Sequence, residues 1–129
     1  MTTESFAAVA EGVRATIAAY TQALDDGRTD DVVATYCPDG VFELPGTGTF
    51  EGHDALRAAY VEWKAQVPQR HLVVNTLVTD WHDDEAVAVS DVVLVVDAGK
   101  GWRIQFVARY ADLLHHRDGT WRFHRRTVS

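Results

Sequence analysis

The chain has 129 residues, 47% of them apolar and 24% charged, which suits a single globular domain over residues 1–129 with one sizeable core. Its formal net charge of −7 is spread along the chain without a basic run, so the attraction that nucleic acids and anionic membrane surfaces rely on is missing. Cys37 is the only cysteine, which excludes an internal disulfide; the acids in "MTTESFAAVAEG" and the lack of an apolar run of bilayer length make the expectation a soluble cytoplasmic protein.

Phe6, Val9, Val13, Ile17, Tyr20 and Leu24 recur at steps of three or four, which predicts an amphipathic helix closed by Gly27. "TDDVVATYC" predicts a short second helix, capped by Thr29 or Asp30 and ended by Pro38 and Asp39-Gly40. "VFELP" alternates as a short strand, and "GTGTFEG" reads as turn. A third helix carries the stripe Ala55, Leu56, Ala59, Tyr60 and Trp63. After Pro68 the period changes. "HLVVNTLVTDW", "EAVAVSDVVLVVD", "WRIQFVARYADLLHH" and "TWRFHRRTV" are β-branched or aromatic stretches split by turn compositions, an antiparallel meander. Helices first and a long sheet afterwards give an α+β class, a curved and mostly antiparallel sheet wrapping its apolar face around the N-terminal helices.

Strand side chains alternate between faces, so Trp102, Ile104, Phe106, Ala108, Tyr110, Asp112 and Leu114 form one set, predicted to face inward. Asp112 is then a carboxyl group on an apolar face, where desolvation favours the neutral, hydrogen-bond-donating form; the other reading pairs it with Arg126 or Arg57. On the preceding long stretch His71, Val73, Asn75, Leu77 and Thr79 share a face, which puts an imidazole and an amide roughly 7 Å apart along the strand, a separation suited to two contacts on one bound molecule.

The run from Tyr20 through "ALDDGRTDDVVATYCPDGVFELPGTGTFEGHDALR", then "RHLVVN" and "RYADLLHHRDGTWRFHRRTV", resembles the SnoaL-like branch of the NTF2-like superfamily over essentially the whole chain. That branch and its relatives include polyketide cyclases, scytalone dehydratase, bile acid dehydratase and ketosteroid isomerase. The resemblance implies a cone-shaped α+β barrel, commonly a homodimer, whose open end admits a small, largely apolar molecule. It also implies roles. "RH" at Arg70-His71 matches the catalytic histidine of the dehydratases, Tyr20 with Asp25 matches the tyrosine and aspartate of the bile acid enzyme, and Asp112 falls near the aspartate that polarises a substrate oxygen in ketosteroid isomerase. Where that isomerase carries its basic aspartate this chain has Leu44, with Glu43 one step away, and the arginine set between aspartates in epoxide-hydrolase relatives is missing.

The chemistry that follows needs no cofactor. His71 removes a proton activated by an adjacent carbonyl, Asp25 holds its ring in the useful tautomer, and Tyr20, with Asp112 or Asn75, stabilises the enolate oxygen. Asn75, Tyr36, Phe42, Trp63, Trp102, Phe106 and Tyr110 are the expected substrate-binding residues of a pocket for a small hydrophobic carbonyl compound. Dehydration, isomerisation and cyclisation all pass through an enolate. The alternative is a non-catalytic ligand-binding or dimerisation module, and the discriminator is whether His71 meets Asp25. Val93, Val95 and Val107 on the outer sheet face predict a homodimer. No metal site is read: His115 and His116 point to opposite faces, and His82 lies in a turn with Asp83, Asp84 and Glu85. There is no phosphate loop or nucleophile elbow, and Cys37 lacks a histidine partner in sequence.

Overall fold

The apolar stripe beginning at Phe6 forms α1 (Phe6–Asp25), whose first turn is closed by the Ser5 hydroxyl accepting a hydrogen bond from the Ala8 amide. α1 is followed by α2 (Thr29–Ala34), β1 (Tyr36–Leu44), β2 (Gly48–Glu51), α3 (His53–Glu62), β3 (Gln69–His82), β4 (Glu85–Asp97), β5 (Trp102–Arg117) and β6 (Thr120–Val128). The computed structural model describes residues 4–129, so the part of the N-terminal reading that rests on Met1–Thr3 lies outside the described residues. The six strands form one mixed sheet in the order β2-β1-β6-β5-β4-β3, antiparallel except for the parallel pair β1–β6. No described helix is long and apolar enough to cross a membrane.

The four predicted long strands fall within a few residues of their expected ends, because the alternation in "EAVAVSDVVLVVD" is that of a half-buried strand: Ala86, Ala88, Ser90, Val92, Leu94 and Val96 are all buried on the concave face. α1 lies across that face and buries Val9, Val13, Ile17 and Tyr20 against Ala86, Ala88, Leu114, Trp121 and Phe123. The resulting α+β architecture is a cone with its helices at the concave side.

Two predicted elements change. α2 stops at Ala34, three residues before its predicted end, because Tyr36 pairs with Phe123 and the Phe123 amide donates to the Thr35 carbonyl; long-range pairing wins over helix continuation. Its N-cap is Arg28, with no side-chain cap hydrogen bond, and the Asp30 carboxylate accepts instead from Arg57 Nε at 2.9 Å. "GTGTFEG", read as turn, holds β2: Phe50 pairs with Phe42 and packs on the core.

Bulges decide which side chains face the concave side, since one inserted residue reverses the alternation. Asn75 sits in the left-handed region (φ 55°) at a break in the β3–β4 register, so the inward set is His71 and Val73 before it and Thr76 and Val78 after it. On β5, Phe106 pairs with Leu94 but Ile104 pairs with Val95, leaving Gln105 as the extra residue and sending Ile104 and Trp102 to the outer face. On β6, Phe123 pairs with Leu114 and Arg125 with Leu113, which leaves His124 as the extra residue there.

Candidate active site

The end of α1 and the start of β3 meet at one carboxylate. Asp25 closes α1, and Gly27, at φ 72°, turns the chain away into α2. Gln69 and His71 lie two residues apart, so both project from the same side of β3 toward that helix end. Asp25 Oδ1 accepts from His71 Nδ1 at 2.6 Å and from Gln69 Nε2 at 3.1 Å, and Oδ2 accepts from the His71 backbone N–H at 2.8 Å. The side chains of His71 and Asp25 are only 9% and 5% exposed, so water competes weakly for these bonds. Because the carboxylate is the acceptor, the ring proton sits on Nδ1 and the lone pair of Nε2 is left over. The ring borders a cavity of about 350 Å³ and meets Phe106 edge-on at 6.4 Å between centroids.

The cavity wall is apolar for most of its extent, with Leu24, Phe42, Leu44, Trp63, Leu94 and Phe106, and polar at His71, Gln69, Gln105 and three tyrosines. Tyr20 OH lies 2.6 Å from Tyr60 OH, which lies 2.8 Å from Tyr36 OH, a chain of three phenols. Tyr20, Tyr60 and Tyr110 face the cavity; Tyr36, fully buried, reaches it only through Tyr60. Burial raises the Tyr20 phenol above its ordinary range, with the charge of Arg126 only partly offsetting it, and pushes Tyr36 and Tyr60 further up. Burial likewise raises Tyr110. These groups therefore stay protonated as hydrogen-bond donors.

That burial has a stability consequence. A group whose pKa is higher folded than unfolded keeps its full contribution below its unfolded value, near pH 10 for tyrosine, and loses it as pH rises further; each of the four tyrosines then removes about 1.4 kcal/mol per pH unit. Phenolate absorbance is expected to stay silent up to alkaline unfolding and to rise together with the loss of circular dichroism. A phenolate signal from the still-folded protein between pH 10 and 11 would contradict the burial of these hydroxyls.

Beneath the tyrosines lies a fully buried ion pair. Arg126 Nε and Nη2 donate to Asp112 Oδ1 and Oδ2 at 2.7 and 2.9 Å. Burial alone would lower the Arg126 pKa, but the charge of Asp112 and its two hydrogen bonds outweigh that and raise it, so the guanidinium is cationic. It stacks 3.7 Å from the Tyr110 ring centroid, 4.2 Å from Phe123 and 4.5 Å from Tyr20. Nη1 has no hydrogen-bond partner among the described residues.

The structure thus brings His71, Asp25, Tyr20, Phe42, Trp63, Phe106 and Tyr110 to one cavity and its rim, and it separates four others from it. Asp112 is inward as expected but has both oxygens taken by Arg126, so it offers no proton to a ligand. Asn75 is thrown off the concave face by its own bulge and donates to Asp91 at 3.2 Å on the surface. Trp102 is 53% exposed on the outer face, its phase reversed at Gln105. Tyr36 is screened from the cavity by Tyr60. The sequence reading also missed three polar lining groups. Tyr60 was hidden in the apolar stripe of α3, where a phenol reads as core; Gln69 was legible as the same-face neighbour of His71; Gln105 reaches the cavity only because it is the bulge residue. Leu44 lines the wall, and Glu43, one step away, pairs with Arg125.

The SnoaL-like domain family matches residues 7–127. Among solved structures, a protein of unknown function from Mycobacterium tuberculosis is 26% identical, with a TM-score of 0.87 over 94% of this chain and 70% of that one. A Catenulispora acidiphila protein solved in complex with S-DNPA is 25% identical, with a TM-score of 0.85 over 95% of this chain and 92% of that one. A scytalone dehydratase-like protein from Novosphingobium aromaticivorans, 19% identical with a TM-score of 0.82 over 93% and 82% of the two chains, shares the fold. No curated protein matches the sequence.

Proposed function

Since the chain belongs to the SnoaL-like domain family, we propose that its cavity is the active site of a cofactor-independent lyase, isomerase or cyclase acting on a small hydrophobic carbonyl compound. The observation that carries this reading is the 2.6 Å contact of Asp25 with His71 Nδ1 at the edge of a cavity that is also lined by Tyr20 and Tyr60. His71 Nε2 takes a proton from the carbon next to the carbonyl, and the electron pair moves onto the carbonyl oxygen as an enolate. Tyr20 or Tyr60 donates a hydrogen bond to that oxygen, and the neighbouring phenol of the chain can donate to it in turn. The His71 proton then returns to another carbon, leaves with a β-hydroxyl group as water, or, where the enolate carbon bonds to a second carbonyl of the same molecule and closes a ring, goes to the alkoxide formed there. General-base catalysis supplies roughly 10²–10⁴-fold, and a phenol donor in a water-poor site adds a comparable factor. The cavity volume lies at the low end for small-molecule sites, which favours a one- or two-ring substrate. The Catenulispora relative, solved with S-DNPA, supports ligand capture by a protein of this fold.

The test is independent of the final product. Cyclic ketones, β-hydroxy ketones and unconjugated enones that bind the protein are incubated with it in D₂O, and solvent deuterium at the α-carbon is read by NMR. Exchange above the buffer rate, blocked by a competing ligand, is the expected result. Binding without exchange for every such compound would leave the fold as a ligand-holding module and end the enzymatic reading.

We further propose a homodimer through the outer sheet face. Leu72, Val93 and Val107 are cross-strand neighbours there, Val95 pairs with Ile104, and Leu72, Ile104 and Val107 are 48%, 63% and 66% exposed. A contiguous apolar row of this kind on a monomer is an interface by default. Light scattering is expected to report twice the chain mass, and Val107→Lys the single mass; a monomeric wild type at micromolar concentration would refute it.

A further inference from the structure

Away from the cavity, toward the opposite end of β5, three strands converge irregularly. The β1–β6 register shifts between Tyr36 and Val41, and β6 bulges at His124. Bulges re-aim side chains, and here they bring Cys37, His115 and His124 together, with one ligand atom from each lying within 4.8 Å of the others. Around a single zinc-sized ion such atoms stand about 3.4 Å apart, a closure that side-chain rotation supplies. The two imidazoles are stacked, 4.2 Å between centroids and 12° between planes.

We propose that Cys37, His115 and His124 bind a divalent transition metal of the zinc class. Three further observations fit. His124 Nδ1 is buried without a hydrogen-bond partner among the described residues, which leaves a polar atom for a ligand to satisfy. Glu85 Oε2 lies 3.4 Å from His115 Nε2, so a carboxylate is at hand to hold one ring nitrogen while the other ligates. Asp39 Oδ1, 4.0 Å from His124 Nδ1, or a water molecule completes a tetrahedron. A thiolate and two imidazoles select zinc or cobalt over magnesium or calcium. The charges of Asp39 and Glu85 offset those of Arg117 and Arg122 around the site.

Sequence spacing hid this site. Cys37 has no histidine near it along the chain, and its partners arrive through strand pairing. His71 and the cavity take no part, so the metal and enzyme readings stand or fall separately.

The experiment uses the purified protein, stripped with a chelator and titrated with Co²⁺. Because Cys37 is the only thiol, a thiolate-to-cobalt charge-transfer band reports that residue alone. One equivalent of Co²⁺ is expected to saturate the band and Zn²⁺ to abolish it. Cys37→Ser should remove the band, and His124→Gln should weaken Zn²⁺ binding, measured by calorimetry, at least about tenfold. His82→Ala, at an exposed histidine paired with Asp84, should leave both unchanged. No band at saturating Co²⁺, or one-to-one Zn²⁺ binding that survives both Cys37→Ser and His124→Gln in variants with native circular dichroism, would overturn the proposal.

Discussion

Replacing His71 by glutamine is expected to lower kcat for proton transfer by about 10²–10⁴-fold while KM changes only a few-fold, because the base is lost and the apolar wall that binds the substrate is not. Glutamine keeps a polar group near Asp25 without the proton affinity of an imidazole. Asp25→Asn should act on the same step by another route. Its amide nitrogen would donate toward Nδ1, reversing the tautomer and putting the proton on the nitrogen that has to accept one. That variant also loses acceptor capacity for Gln69 and for the His71 backbone, so a stability cost of about 1–3 kcal/mol accompanies the kinetic effect. Combining the two changes should cost little more than the worse single change, as expected of groups that act as one unit. Wild-type kcat in both single variants would mean the proton is taken elsewhere.

The second large effect is on stability. Asp112→Asn removes the negative charge from a fully buried pair and strands the Arg126 guanidinium, which already has one nitrogen without a partner. Breaking a buried pair on one side costs about 3–5 kcal/mol, a large share of the 5–15 kcal/mol that holds an ordinary domain together. For a domain of this size, Tm should fall by roughly 10–20 °C. Arg126→Met in the same chain should recover much of that loss, since no charge is left unpaired. Such a rescue carries its own signature. The methionine no longer stacks on Tyr20 and Tyr110, so the double variant should fold and yet turn over slowly. A Tm shift below about 3 °C for Asp112→Asn would show the pair to be energetically idle.

Much of this architecture was legible in the chain because it follows simple periods. The helical stripe from Phe6 to Leu24 and the strict alternation from Glu85 to Asp97 each bury one face, and nothing nearby competes with that pattern. What escaped is what departs from period by one residue. Asn75 and Gln105 are single insertions at breaks in the strand register, and each reverses the facing of its neighbours, which is why a substrate-binding Asn75 and an inward Trp102 do not occur. Asp112 was placed on the correct face, and its pairing with Arg126 was one of the two readings left open; the register that sets Arg126 opposite it decides between them. Tyr60 illustrates a different limit. A phenol in an apolar stripe carries no mark that its hydroxyl will join two others. The meeting of His71 with Asp25 was named from a resemblance, and the contact itself depends on where β3 starts after Pro68 and on the turn that Gly27 allows at the end of α1.

The reading of this protein as an enzyme rests on the imidazole and the phenols converging on one small molecule. A crystal structure with a bound, non-reacting carbonyl compound tests this most directly. The expected pose sets the carbonyl oxygen within about 3.2 Å of the Tyr20 or Tyr60 hydroxyl and the adjacent carbon against His71 Nε2, with Asp25 still on Nδ1. A ligand seated in the cavity with its carbonyl turned away from both tyrosines, or with His71 swung off Asp25 to face solvent, would contradict it.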